Sequence, residues 1–170
     1  MCNNIISFKD IDAFVFDFDG VLTDNYVLTD ENGKESVSCS RADGLAFDVL
    51  NKLNKPVYII STEKNPVVKA RAKKLKVPVL QSVGDKVEVM IDLANLNDYN
   101  LKNILYTGND LNDYFVMQLC GYTACPADSH PKIKSISNIS LSTNGGGGVV
   151  RELLENIFEI NIENVLYSNR

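Results

Sequence analysis

Three apolar runs in this chain each end in polar residues whose types suit phosphoryl chemistry. The first, Ala13-Phe14-Val15-Phe16, leads into Asp17-Phe18-Asp19-Gly20 and then Thr23-Asp24. Two carboxylates one residue apart at the end of a strand buried on both faces are costly unless a cation or hydrogen-bond donors compensate them. A Mg²⁺ ion at the carboxyl end of a parallel strand answers that cost. The pair also suits covalent phosphoryl transfer: Asp17 attacks phosphorus, and Asp19 protonates the leaving alcohol and later activates water. Gly20 lets the backbone turn tightly beside the phosphate. Taken as a bare DxD, the pair is equally well explained as two solvated acids at a strand end. The longer string DFDGVLTD favours the site.

The second run, Val57-Tyr58-Ile59-Ile60, enters Ser61-Thr62-Glu63-Lys64-Asn65-Pro66. A hydroxyl from Ser61 or Thr62 can donate to a phosphate oxygen or cap the helix that follows. The third run, Asn103 to Thr107, precedes Gly108-Asn109-Asp110-Leu111-Asn112-Asp113, a further supply of oxygen ligands. Between the two, Asp85-Lys86 opens a helix. The predicted helix Val67 to Leu75 carries Lys69, Arg71, Lys73 and Lys74, with Lys76 just beyond it. This basic run is either a solvated face or a local attraction for an anionic substrate.

The remaining pattern supplies the scaffold. A chain of 170 residues is one domain with room for a real core. Its 45% hydrophobic and 23% charged residues are those of a soluble globular protein. A net charge of −5 argues against nucleic acid or an anionic membrane as the main partner. No apolar run reaches transmembrane length, and no signal-peptide pattern is expected at the N-terminus. Cys2, Cys39, Cys120 and Cys125 lack CxxC spacing and read as reduced thiols in a cytoplasmic protein.

Residues 25–40 read as a hairpin, with Tyr26 to Leu28 and Ser36 to Ser38 flanking an Asn32-Gly33 turn. Such a ribbon is marginal in water without something to pair with. Further strands are expected at Val77 to Leu80, Gly121 to Ala124 and Ile139 to Leu141, and helices from Leu45 to Leu53 and Val149 to Ile157. His130 is expected in a loop or at a helix start, not as a catalytic base. Gly145 to Gly148 open a tail, 144–170, expected to be flexible or to let backbones approach closely. The alternation predicts an α/β fold: a Rossmann-like three-layer sandwich with a parallel central sheet and a β-hairpin insertion, its chemistry along one edge.

DFDGVLTD, Ser61, Asp85-Lys86 and GNDLND, in this order, resemble the motifs of the haloacid dehalogenase superfamily of phosphatases. The resemblance implies Asp17 as nucleophile, Asp19 as general acid and base, Ser61 as phosphoryl holder and Lys86 as the neutralising cation. It also implies Mg²⁺ bound by Asp17, the Asp19 carbonyl and the fourth motif, through Asn109 and Asp113. Asn109 stands where the family usually has aspartate, so either the ion is bound more weakly or Asp110 or Asp113 reaches it.

Neither interval between the motifs can hold a cap domain. In this, and in its RADG, HPKIK and GGGGVVRE strings, the chain is similar to the capless 3-deoxy-octulosonate 8-phosphate phosphatase group. That similarity implies a homotetramer whose hairpins pair around an axis, with a neighbouring subunit covering each active site. Ser61-Thr62-Glu63-Lys64 departs from the Thr-Gly-Arg usual in that group. With Arg71 and Lys74 it resembles the nonulosonate 9-phosphate phosphatases and the phosphatase-like domains fused to CMP-sialic acid synthetases. The resemblance implies a nine-carbon substrate, KDN or N-acylneuraminate 9-phosphate, contacted by Thr62 and Glu63, by Arg71 and Lys74 of the same or a neighbouring subunit, and also by Arg41 and Asp43. Two alternatives stand beside it. One is the eight-carbon 3-deoxy-D-manno-octulosonate 8-phosphate of lipopolysaccharide synthesis; the other is a non-catalytic tetramerisation module, against which Asp17, Asp19 and Lys86 speak.

Overall fold

The computed structural model describes residues 6–168. Its centre is β1 (Ala13–Phe16), four residues buried on both faces. Phe14 and Phe16 point into one apolar layer, Ala13 and Val15 into the other. This period-two alternation, both phases apolar, is what a central parallel strand requires. Around it run β4 (Val57–Ser61), β5 (Val79–Gln81), β6 (Ile104–Thr107), β7 (Tyr122–Cys125) and β8 (Ile139–Ser140), while β2 (Leu28–Thr29) and β3 (Glu35–Ser36) form the hairpin. The main sheet is parallel throughout, in the order β5-β4-β1-β6-β7-β8.

Helices α1 (Arg41–Lys52), α2 (Val67–Leu75), α6 (Val149–Glu152) and α7 (Ile162–Tyr167) supply apolar residues to the layer with Phe14 and Phe16. Helices α3 (Lys86–Asn97), α4 (Tyr114–Leu119) and α5 (Pro131–Ile136) supply the other. The predicted three-layer α/β sandwich is therefore the observed one. Strand order reverses between β4 and β6, on either side of β1, so a crevice opens at their carboxyl ends.

The hairpin is present but shorter than its sequence implies, because only Leu28–Thr29 and Glu35–Ser36 pair. Asp30 holds the turn, its Oδ1 accepting from Asn32 N and Lys34 N at 2.9 Å each. The ribbon is tied down at its base, where Asn65 Nδ2 donates to Glu35 Oε2 at 2.8 Å.

The glycine run is not a loose tail within the described residues. Cβ atoms on Gly145 or Gly146 would strike the backbone of Gly20, Thr23 or Asp24. Gly146 N donates to Val21 O at 3.0 Å, and Gly145 N to Asp128 Oδ1 at 2.9 Å. Close backbone approach, the second of the two expectations, is what Gly145 and Gly146 serve. Residues 169–170 of that tail, and Cys2, lie outside the described residues. Cys39, Cys120 and Cys125 are free thiols, and His130 caps α5, its Nδ1 accepting from Lys132 N. Among the described residues no helix is long and apolar enough to cross a membrane.

Candidate active site

The crevice at the strand reversal is an open cleft of about 390 Å³ lined by Asp17, Asp19, Ser61, Thr62, Glu63 and Asn109, with Asn25, Asp110, Leu111 and Asn112 at its rim. Asp17 follows directly on β1 and is held by the neighbouring strand, its N–H donating to Thr107 O at 2.9 Å. Its Oδ1 accepts from Phe18 N at 2.7 Å and pairs with Lys86 Nζ at 2.8 Å. Those bonds leave Oδ2 toward the cleft.

Lys86 is buried, at the first turn of α3, and bridges two acids: its Nζ also lies 2.7 Å from Asp113 Oδ1. Burial alone would push the Lys86 ammonium down, but Asp17 and Asp113 more than offset it and hold it above its ordinary range. The same cation cannot satisfy both carboxylates. Burial first, and then the charge of Asp113, push the Asp17 carboxyl up in spite of Lys86. Two buried anions against one buried cation leave the cluster short of positive charge.

A turn after Asp17 displaces Asp19 onto the cleft wall. Leu22 N donates to Phe18 O at 2.9 Å, and Gly20, at φ +77°, donates its N–H to Thr23 Oγ1 at 3.1 Å. Burial and then the nearby Glu63 charge raise the Asp19 carboxyl. A carboxyl so raised holds a proton more readily, as a general acid must. Ser61 is the last residue of β4; its buried Oγ accepts from Glu63 N at 3.1 Å, so its own proton is free for another acceptor. Thr62 beside it is exposed on the same wall.

The fourth motif turns out differently from its sequence expectation. Asp113 is fully buried and points away from the cleft. Its Oδ1 accepts from Lys86 Nζ and, at 2.8 Å, from Tyr106 Oη; its Oδ2 accepts from Asn109 N at 2.9 Å. With both oxygens engaged by protein donors, Asp113 anchors the loop from behind and does not line the cleft. Asn109 and Asp110 both reach the cleft, and of the two Asn109 is the buried one: its Oδ1 is without a hydrogen-bond partner, and its amide lies against Gly20. Among the described residues no three His, Cys, Asp or Glu side chains form a metal cluster, so a metal site here rests on the Asn109 amide and backbone oxygen besides the acids. An orphaned hard oxygen beside an under-compensated carboxylate fits a divalent cation held by Asp17, the Asp19 carbonyl and Asn109.

Four expected sugar contacts lie elsewhere. Asp43 is buried in α1, where its Oδ1 accepts from Val150 N at 2.8 Å and Arg151 N at 3.1 Å. It joins α1 to the start of α6 and cannot meet a substrate. Arg71 Nη2 donates to Ser40 O at 2.7 Å, and Arg41 and Lys74 stand exposed on their helices; none of the three lines the cleft of its own subunit. Tyr106 and Thr23 were missed, the first because an apolar run conceals a buried phenol, the second because a hydroxyl inside a motif carries no sign of its partner.

Residues 62–153 match the family model of haloacid dehalogenase-like hydrolases. The chain belongs to that family. Among haloacid dehalogenase-like hydrolases it is 30% identical over 148 residues to the 3-deoxy-D-manno-octulosonate 8-phosphate phosphatase of Salmonella typhi, covering 86% of this chain and 79% of that one. A haloacid dehalogenase family hydrolase from Streptomyces avermitilis superposes with a TM-score of 0.91 at 36% identity, covering 95% of this chain and 99% of that one. The Moraxella catarrhalis 3-deoxy-D-manno-octulosonate 8-phosphate phosphatase, solved with magnesium, phosphate and KDO, superposes with a TM-score of 0.84 at 27% identity over 89% of this chain and 87% of that one. With such relatives this haloacid dehalogenase-like chain is a phosphoric monoester hydrolase.

Proposed function

We propose that this protein hydrolyses the phosphate monoester of a 3-deoxy-2-keto sugar acid, with 3-deoxy-D-manno-octulosonate 8-phosphate as its substrate. The observation that carries the reaction is the Lys86 bridge to Asp17, set in one cleft with Asp19 and Ser61. Asp17 Oδ2 attacks phosphorus, and the departing alcohol oxygen takes the proton of Asp19. Asp19, now a carboxylate, removes a proton from water, whose oxygen displaces Asp17 from the aspartyl-phosphate and releases inorganic phosphate. Lys86 offsets charge on Asp17 and the phosphoryl oxygens, and the Ser61 hydroxyl donates to one of them. A Mg²⁺ ion held by Asp17, the Asp19 carbonyl and Asn109 would supply further charge neutralisation.

The eight-carbon substrate displaces the nine-carbon one as the main reading because two of the named relatives, from Salmonella typhi and Moraxella catarrhalis, are 3-deoxy-D-manno-octulosonate 8-phosphate phosphatases. Glu63 keeps the nine-carbon reading open as a second one: its carboxylate lines the cleft, with Oε1 bound to Lys64 N at 2.6 Å and Asn65 N at 2.8 Å. Phosphate release in the presence of Mg²⁺, measured on eight- and nine-carbon keto-acid phosphates side by side, decides between them. A higher kcat/KM on the nine-carbon ester overturns the main reading; no release from either overturns the substrate class.

Assembly belongs to the same proposal. Tyr26, Val27 and Leu28 are 79%, 53% and 75% exposed along the hairpin, and the cleft is open among the described residues. A cytoplasmic homotetramer in which a second subunit covers the cleft accounts for both, and brings Arg71 or Lys74 of a neighbour toward a substrate carboxylate.

A further inference from the structure

Tyr106 is the largest of the fully buried side chains, in the middle of β6 and on the face that packs against α3 and α4. A phenylalanine would bury the same ring without a hydroxyl to desolvate, so the hydroxyl needs an account of its own. It has one bond: Oη donates to Asp113 Oδ1 at 2.8 Å. That oxygen is the one Lys86 Nζ reaches at 2.7 Å, and Lys86 Nζ in turn lies 2.8 Å from Asp17 Oδ1. The phenol, the carboxylate, the ammonium and the presumptive nucleophile thus form one unbroken buried chain, of which only the last member faces the cleft.

Asp113 is clamped on both sides. Oδ2 is taken by Asn109 N at 2.9 Å and, more loosely, by Asp110 N at 3.4 Å, so the carboxylate cannot rotate without abandoning the loop that carries Asn109. Oδ1 is shared between Tyr106 and Lys86. A carboxylate oxygen with a second donor is a weaker partner for the first, because each bond draws on the same negative charge. Without the phenol, Lys86 would be the sole donor to Oδ1 and would be held nearer Asp113, away from Asp17.

We propose that Tyr106 is a positioning residue for phosphoryl transfer: by occupying Asp113 Oδ1 it sets how Lys86 is divided between Asp113 and Asp17. Tyr106 never touches the substrate. Its influence passes through Asp113 to Lys86 and so falls on the chemical step. The inference rests on the phosphatase reading given above. Desolvation holds the phenol proton far above its ordinary range, so Tyr106 remains a donor at any working pH.

Steady-state kinetics of Tyr106→Phe test this with the turned-over sugar-acid phosphate. The expected result is a roughly tenfold to hundredfold fall in kcat with KM unchanged, the size of one hydrogen bond to a charged group. An unchanged kcat with only a lower melting temperature would make Tyr106 a core residue and overturn the proposal. A raised KM at constant kcat would overturn it too. The route is tested in the Asp113→Asn background, where Tyr106→Phe is expected to cost nothing further; an additive loss places the effect of Tyr106 elsewhere. Urea unfolding of the same four proteins needs no substrate. Additive midpoints refute the Tyr106–Asp113 link on which the proposal stands, even if wild-type protein releases no phosphate and the functional reading falls.

Discussion

Gly20 and Asn109 face one another so closely that a methyl group on Gly20 would overlap the Asn109 side-chain amide. The two residues come from loops after different strands, β1 and β6, and their contact brings the first motif against the fourth. Gly20 also holds φ at +77°, where a Cβ is strained whatever the space. Gly20→Ala is expected to lower stability by about 1–3 kcal/mol and to reduce turnover more than tenfold at temperatures where the variant is still folded. Thermal melts and phosphate release, run together, check both effects.

Asn109→Asp puts a third carboxylate beside Asp17 and Asp113. In the absence of metal it should melt at a lower temperature than wild type, from like-charge repulsion. Its Mg²⁺ dissociation constant should fall about tenfold, since a charged oxygen replaces an amide oxygen. Isothermal titration reads the affinity directly. An unchanged titration removes Asn109 from the coordination shell.

Asp17→Asn should lower turnover at least about a thousandfold, because an amide cannot form the acyl phosphate. It should not cost stability. Burial already opposes the Asp17 charge, so a neutral side chain there should leave the metal-free melting temperature equal to or above that of wild type. Loss of the fold in this variant would show that Asp17 serves as a structural partner of Lys86 instead.

Asp43 gives a pH signature distant from the chemistry. Burial, only partly opposed by the Val150 and Arg151 N–H groups, raises its carboxyl from 3.8 to about 6. The folded state therefore holds this proton more tightly than the unfolded state. The associated stability is complete below pH 3.8 and is lost as pH rises to about 6. Asp43→Asn should abolish that dependence, on the order of 3 kcal/mol across the interval, and keep the acceptor for α6. Asp43→Ala should cost about 1–3 kcal/mol at neutral pH by leaving two N–H groups unpaired. Urea midpoints at several pH values separate the two.

Replacing Tyr26, Val27 and Leu28 with serine removes exposed apolar surface and leaves the core intact. Sizing is expected to show a smaller species with an unchanged circular dichroism spectrum. An unchanged assembly would exclude the hairpin as its contact.

How far the sequence could be read depends on what kind of interaction each residue makes. Val15 and Phe16 announce a buried strand because both phases of the alternation are apolar, and Asp17 and Asp19 announce a site because nothing in such a strand tolerates acids without a reason. Lys86 was legible only through the family resemblance, since the residues by themselves show no more than Asp85-Lys86 opening a helix. The internal partners of Asp43 and Asp113 were not legible, because a carboxylate that accepts backbone N–H groups looks, in a sequence, like one that meets a ligand. The place of Arg71 at Ser40 O was not legible either, because it depends on how α2 lies against the base of the hairpin.

From its residues alone the chain determined the parallel α/β sheet, the strand ends that carry chemistry and Asp17 and Asp19 as candidates, since periodicity and the cost of burying charge are local properties; Ser61 and Lys86 were singled out by the family resemblance. Only the tertiary structure decided which acid faces the cleft and which faces inward, that the glycine run is packed against residues 20–24, and that Tyr106 lies behind Asp113. Those outcomes depend on which atoms of distant segments arrive within hydrogen-bonding distance, and spacing along a chain carries no measure of that.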